Sequence, residues 1–217
     1  MTETTHRAIR LALASLIAVA LVSQLFIGLS TSDLTVVEFF SYFTVLSNIG
    51  AVVMLFLLAA APGRDGSLGF AMFRGAVTVY MSVTFLVYIT TILYPQLADV
   101  AVSEPWIDWS VHVVGPLLLI VDFAVYRPPV HFPSRTVPIW LVFPSLYLAY
   151  SLVRGPLVDW YPYPFLDPAG GDGYWSVALW SLVVMSVVLA FCYLYYWWTN
   201  RAHPETAAVP VDGGEEE

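Results

Sequence analysis

Apolar residues run through this chain in six long blocks, with the polar residues gathered between the blocks. The blocks are Ile9–Leu29, Phe39–Ala61, Gly75–Tyr94, Trp109–Tyr126, Val137–Val153 and Tyr174–Trp198. A helix needs about 20 apolar residues to cross hydrocarbon, and each block meets or approaches that length. The fourth and fifth, at about 17 or 18 residues, lie near the lower limit. Breakers separate the blocks: Pro62-Gly63, Pro95, Pro105, Pro128-Pro129, and Gly170-Gly171 with Gly173. The pattern predicts an all-α, polytopic membrane protein with six transmembrane helices over residues 1–200. The polar, acidic stretch 201–217 is expected to form a disordered cytoplasmic tail. The spans share no fixed period and are too dissimilar for an inverted repeat.

The arginines set the expected orientation. Arg7, Arg10, Arg64, Arg74, Arg127, Arg135 and Arg201 fall on the side shared by the two termini, and Arg154 alone falls on the other. Arginine-rich short loops stay in the cytoplasm, so both termini are expected inside a plasma (inner) membrane. The first block follows Arg7 and Arg10 as a signal peptide would. It is longer than such an apolar region and lacks a small-x-small cleavage site, so it reads as a retained span. Trp106, Trp109, Trp160, Trp175, Trp197 and Trp198 lie near predicted span ends, where amphipathic rings favour the headgroups.

Composition narrows the function classes. The chain is 59% hydrophobic and only 11% charged, far from the quarter charged of soluble domains. The single cysteine, Cys192, excludes a disulfide scaffold or a cysteine metal site. All eight basic residues are arginine, which excludes a lysine Schiff base. A net charge of −8 with no basic patch argues against nucleic acid as a partner and leaves membrane lipids as the expected one.

Polar groups at membrane depth require a reason. Ser41, Thr44, Ser47 and Asn48 sit near the outer end of the second span, with Ser41, Thr44 and Asn48 on one helical face. His112 is the one histidine inside a predicted span. No second membrane histidine is present to share a haem, and no histidine–carboxylate spacing suits a metal, so neither cofactor nor metal is expected. At 1.5 Å per residue, Thr44 lies roughly 9 Å deep and His112 about 5–9 Å deep, in one outer layer on two helices. Interhelical hydrogen bonding is the plain reading of both; a nucleophile and its base is the sharper one. Asp108, one turn before His112, is expected to cap the span, or else to orient the imidazole. Asp122, about 15 Å further along the axis, cannot reach that ring. It is expected to stay protonated or to bond a neighbouring hydroxyl or tyrosine. Arg154 is expected to pair with Asp159, Asp108 or Glu38, or to hold a lipid carboxylate or phosphate. The loop 154–173, with Trp160-Tyr161-Pro162-Tyr163-Pro164-Phe165, is expected either to lie on the interface or to act as a lid.

Three stretches carry a family resemblance. They are Phe40-Ser41-Tyr42-Phe43-Thr44-Val45-Leu46-Ser47-Asn48; His112 with Pro116 and Asp122; and Arg154-Gly155 leading to Trp160-Tyr161-Pro162-Tyr163-Pro164-Phe165-Leu166-Asp167-Pro168. Over Glu38 to Pro168 the chain resembles the androgen-induced and androgen-dependent TFPI-regulating protein family, in its six-span prokaryotic branch. The resemblance implies an intramembrane hydrolase of fatty-acid esters, with a threonine nucleophile at Thr44 and a histidine at His112. It also matches an acidic residue at Asp122, and it departs from the animal members around Asn48.

The leading expectation is therefore a lipid-ester hydrolase in which Thr44 attacks, His112 takes the proton, Asn48 donates to the oxyanion, Asp108 supports the histidine and Arg154 binds substrate. The alternatives are a small-solute transporter or channel centred on Asp122 and Gly115-Pro116, or a structural or sensory membrane protein.

Overall fold

The computed structural model describes residues 2–31, 34–61, 63–93, 104–170 and 172–202. The predicted end of the third span at Tyr94 and the tail beyond residue 202 lie outside the described residues. Among the described residues the chain is predominantly helical and contains no strand. Its helices are α1 (Glu3–Thr31), the short α2 (Val36–Phe39), α3 (Phe43–Ala60), α4 (Leu68–Leu93), α5 (Pro105–Trp109), α6 (Gly115–Val125), α7 (Thr136–Val158) and α8 (Tyr174–Asn200). A π-helical segment, Ser110–Val114, joins α5 to α6, so these three form one crossing. Six helices, α1, α3, α4, α5–α6, α7 and α8, are long and apolar enough to span a membrane. The protein is an integral, multi-pass membrane protein. Alternating crossings give the bundle a terminal end, holding Glu3 and Asn200, and a distal end, holding Phe43 and Pro105.

Several helices run past the apolar blocks. α1 begins at Glu3 rather than Ile9, and α7 runs to Val158 rather than Val153. Hydropathy stops at an arginine, whereas a helix continues wherever its polar side chains find partners. Arg7 and Arg10 find them on neighbouring helices, with Arg7 Nε donating to the Ala59 carbonyl at 2.8 Å. In contrast, Phe39–Tyr42 leave the predicted second span. α2 carries a capping box in which Thr35 and Glu38 satisfy each other's backbone, and it ends at Phe40.

Two apolar cores fill the bundle, and α4 serves both. Val77 and Met81, one turn apart, join Leu13, Ile17, Met54, Leu55 and Val111 in the first core. Val79 and Val83 join Phe123, Phe132, Trp140 and Val188 in the second. Accordingly α4 is the most buried span and α8 the least, leaving α8 mostly to lipid. The Trp140 indole lies on Gly75 and donates to the Met72 carbonyl at 2.7 Å, while Tyr80 donates to the Trp140 carbonyl at 2.9 Å. At the terminal end Asn200 closes α8 onto the connection before α7, exchanging two hydrogen bonds with the Phe132 backbone at 2.7 and 2.9 Å.

The Gly75–Trp140 contact has no room for a methyl group. Gly75→Ala is expected to cost about 1–3 kcal/mol through displacement of the indole. A lowered unfolding temperature of the detergent-solubilised protein is the check.

Candidate functional site

Thr44 stands in the first turn of α3, where backbone N–H groups lack intrahelical partners. Tyr42, the residue preceding the helix, provides no side-chain cap. The loop between α7 and α8 supplies one instead: the Tyr163 hydroxyl lies 3.3 Å from the Thr44 nitrogen and 3.4 Å from Thr44 Oγ1. Burial pushes the Tyr163 phenol up, which keeps its proton in place as a donor. Two tyrosines of α7 secure the chain just before Thr44. Tyr147 donates to the Ser41 carbonyl at 2.9 Å, and Tyr150 bonds the Ser41 hydroxyl at 2.8 Å.

His112 sits within the π-helical segment. Its Nδ1 faces two acceptors of one residue, Asp108 Oδ1 at 2.9 Å and the Asp108 carbonyl at 3.1 Å. A nitrogen between two acceptors carries the hydrogen, so in the neutral imidazole the lone pair sits on Nε2. No described group bonds Nε2. The Tyr88 hydroxyl bonds the second Asp108 oxygen, and the Tyr88 ring stacks on the imidazole with centroids 4.5 Å apart. The expected capping role of Asp108 gives way to this one, because the helix begins at Pro105, with Glu104 in the capping position, and the Asp108 carboxylate turns to Tyr88 and His112.

The π turn explains how the two layers meet. In an α-helix the Gly115 N–H would bond the Val111 carbonyl; here it bonds Ser110 one residue further back. Pro116 follows with no N–H of its own. The Val111 carbonyl is thereby released, and Asn48 Nδ2 donates to it at 3.0 Å while also donating to the Thr44 carbonyl at 2.9 Å. One fully buried amide therefore ties the Thr44 turn to the residue beside His112. Gly115 is required for this close turn, since a Cβ would meet the Ser110 carbonyl at 2.8 Å and Ile17 at 3.1 Å. Thr44 and His112 thus occupy neighbouring turns of α3 and the π segment. Among the described residues no direct hydrogen bond joins them, and the Thr44 hydroxyl is held by Tyr163 instead.

Two expected roles change. Asn48 has committed both amide hydrogens to carbonyls, leaving neither for an oxyanion, and its Oδ1 has no partner. Arg154 forms no ion pair with Asp159, Asp108 or Glu38 among the described residues; it lies over the Trp160 ring, 5.0 Å from the centroid. Trp160 and Tyr163 both set their rings edge-on to Tyr42, at 5.7 and 5.9 Å. Gly155 admits the Tyr161 ring against α7. The aromatic–proline loop consequently folds over the start of α3.

Asp122 belongs to a separate centre at the terminal end. Arg10 grips both its oxygens at 3.0 Å, Arg74 Nη2 lies at 2.7 Å and His6 Nε2 at 2.8 Å. Arg74 is fully buried and also pairs with Asp65. In place of the expected hydroxyl or tyrosine partner, three nitrogen-bearing side chains from α1 and α4 hold the Asp122 carboxyl group. Sequence reading missed these partners because His6 and Arg74 fall just before the predicted spans and Arg10 at the edge of the first, where each reads as a charge at the interface. The spacing of His6 and Arg10, four residues apart, was the available signal. Tyr88 and the capping role of Tyr163 had no local signal, since both depend on tertiary contact.

Asp122→Asn, which strands two arginines, is expected to cost about 3–5 kcal/mol. Asn48→Ala, which strands one carbonyl, is expected to cost about 1–3 kcal/mol. Unfolding temperatures in detergent should therefore fall more for the first. No protein-family model, curated protein or solved structure matches the chain.

Proposed function

We propose that this integral membrane protein hydrolyses lipid esters, with Thr44 as nucleophile and His112 as general base. The observation that carries the reading is the Asp108–His112 pair at 2.9 Å, with Asn48 joining the Thr44 carbonyl to the Val111 carbonyl next in sequence to His112. With seven of eight arginines at the terminal end, this layer lies in the outer leaflet of a plasma membrane.

The chemistry follows from those groups. Thr44 Oγ1 attacks the acyl carbonyl as its proton passes to His112 Nε2, and Asp108 stabilises the imidazolium. The alcohol leaves with that proton, and the acyl group stays on Thr44. His112 then takes a proton from water, whose oxygen attacks the acyl-threonine, and returns that proton to Thr44 Oγ1 as the acyl bond breaks and the fatty acid leaves. The oxyanion role passes from Asn48 to the Tyr163 phenol, whose hydroxyl lies 3.4 Å from Thr44 Oγ1. Arg154, held on Trp160 at the same end, binds the polar part of the ester. The transporter reading loses its starting point, since the Asp122 carboxylate is occupied by Arg10, Arg74 and His6.

A fluorophosphonate probe on membranes is expected to label the wild type, to fail with Thr44→Ala, and to label His112→Ala about 10²-fold or more slowly. Undiminished labelling of Thr44→Ala overturns the assignment. Tyr163→Phe is expected to lower ester turnover by about 10²–10³-fold. The check is steady-state hydrolysis of a chromogenic fatty-acid ester, alongside the unfolding temperature to separate catalysis from loss of the helix cap.

A further inference from the structure

The terminal end contains a cavity of about 580 Å³, whose lining includes His6, Arg7, Arg10, Leu58, Tyr126 and Arg127. Its acidic lining residues are Asp65, already bound to Arg74, and the exposed Glu3. Arg10 is committed to Asp122. Arg7 and Arg127 are different. Arg7 uses Nε on the Ala59 carbonyl, and among the described residues no carboxylate pairs with it. Arg127 lies over the Trp198 ring at 4.4 Å, and its buried Nε has no hydrogen-bond partner. Both residues line the cavity, so an anion there would meet two guanidinium groups that no described carboxylate neutralises.

We propose that this cavity is a binding site for a phosphate group at the membrane surface. Leu58 stands two residues before α3 ends, which places the cavity at headgroup level. Arginines arriving from α1 and from the connection after α6 provide forked donors from two directions, suited to a tetrahedral anion. The volume admits a phosphate carrying an organic substituent, as in an anionic phospholipid headgroup. The site is independent of the Thr44 layer and of any hydrolysis there.

The test uses the full chain in zwitterionic detergent, with unfolding temperature read against added phosphatidylglycerol, phosphatidylcholine or inorganic phosphate. Phosphatidylglycerol is expected to raise the unfolding temperature saturably. Arg127→Gln should weaken its apparent affinity about tenfold or more. Arg135→Gln, which removes a charge outside the cavity, should leave that affinity unchanged. Stabilisation by phosphatidylglycerol alone assigns the ligand as a lipid headgroup; competition by inorganic phosphate assigns the free ion as sufficient. No saturable shift with either, or equal weakening by Arg135→Gln, overturns the proposal. If Arg127→Gln fails to fold, the wild type still decides: the shift must shrink as sodium chloride rises, and a salt-insensitive shift overturns it.

Discussion

Hydrocarbon offers no hydrogen bonds, so each polar group carried into the bilayer must find its partner within the protein. The carbonyl released at Val111 is the clearest instance. A wide turn that ends in Gly115-Pro116 costs a backbone hydrogen bond, and Asn48 from another helix replaces it. The replacement succeeds only if α3 and the π segment lie at one level and one rotation. Their mutual placement, and with it that of Thr44 and His112, depends on this amide.

The same requirement operates on charges at the other end. A lone Asp122 in an apolar span would be expelled or neutralised. With Arg10, Arg74 and His6 around it, the carboxylate instead draws α1 and α4 onto α6. Removing one member is costly because the remainder stay buried, although the assembled cluster need not exceed a well-packed apolar one in stability. Its contribution is to fix which helix meets which. The two polar centres, one near each end of the α5–α6 crossing, thus determine a packing that nearly interchangeable leucines and valines leave open.

The six spans were legible because a bilayer crossing imposes length and hydropathy on contiguous residues, which a linear reading detects. Constant rise per residue put Thr44 and His112 at one expected depth, but it could not foresee that the Thr44 hydroxyl is held by Tyr163. The ends of α1 and α7 were not legible. Charged residues there remain helical through partners supplied by α3, α6 and the loop after α7, and no local window contains those partners. Asn48 was found as a polar residue facing inward but given the wrong acceptor, since a π turn leaves no distinctive pattern beyond Gly115-Pro116. Asp108 was left between capping the span and orienting His112, and the second contact is the one that forms. Its helix starts at Pro105, a turn before the apolar block, and the carboxylate turns from the interface towards Tyr88 and His112.

The extra residue in the π turn also fixes an angular offset within one helix. Each residue of an α-helix advances the side-chain direction by about 100°. Straightening the segment by deleting a single position between Ser110 and Gly115 would swing the Asp108 half against the Asp122 half by that angle. Tyr88 and Arg74 both project from α4, so this one helix meets both halves at the present phase. The wide turn therefore behaves as a keyway: α4 can seat both ends of its neighbour only while the added residue is there.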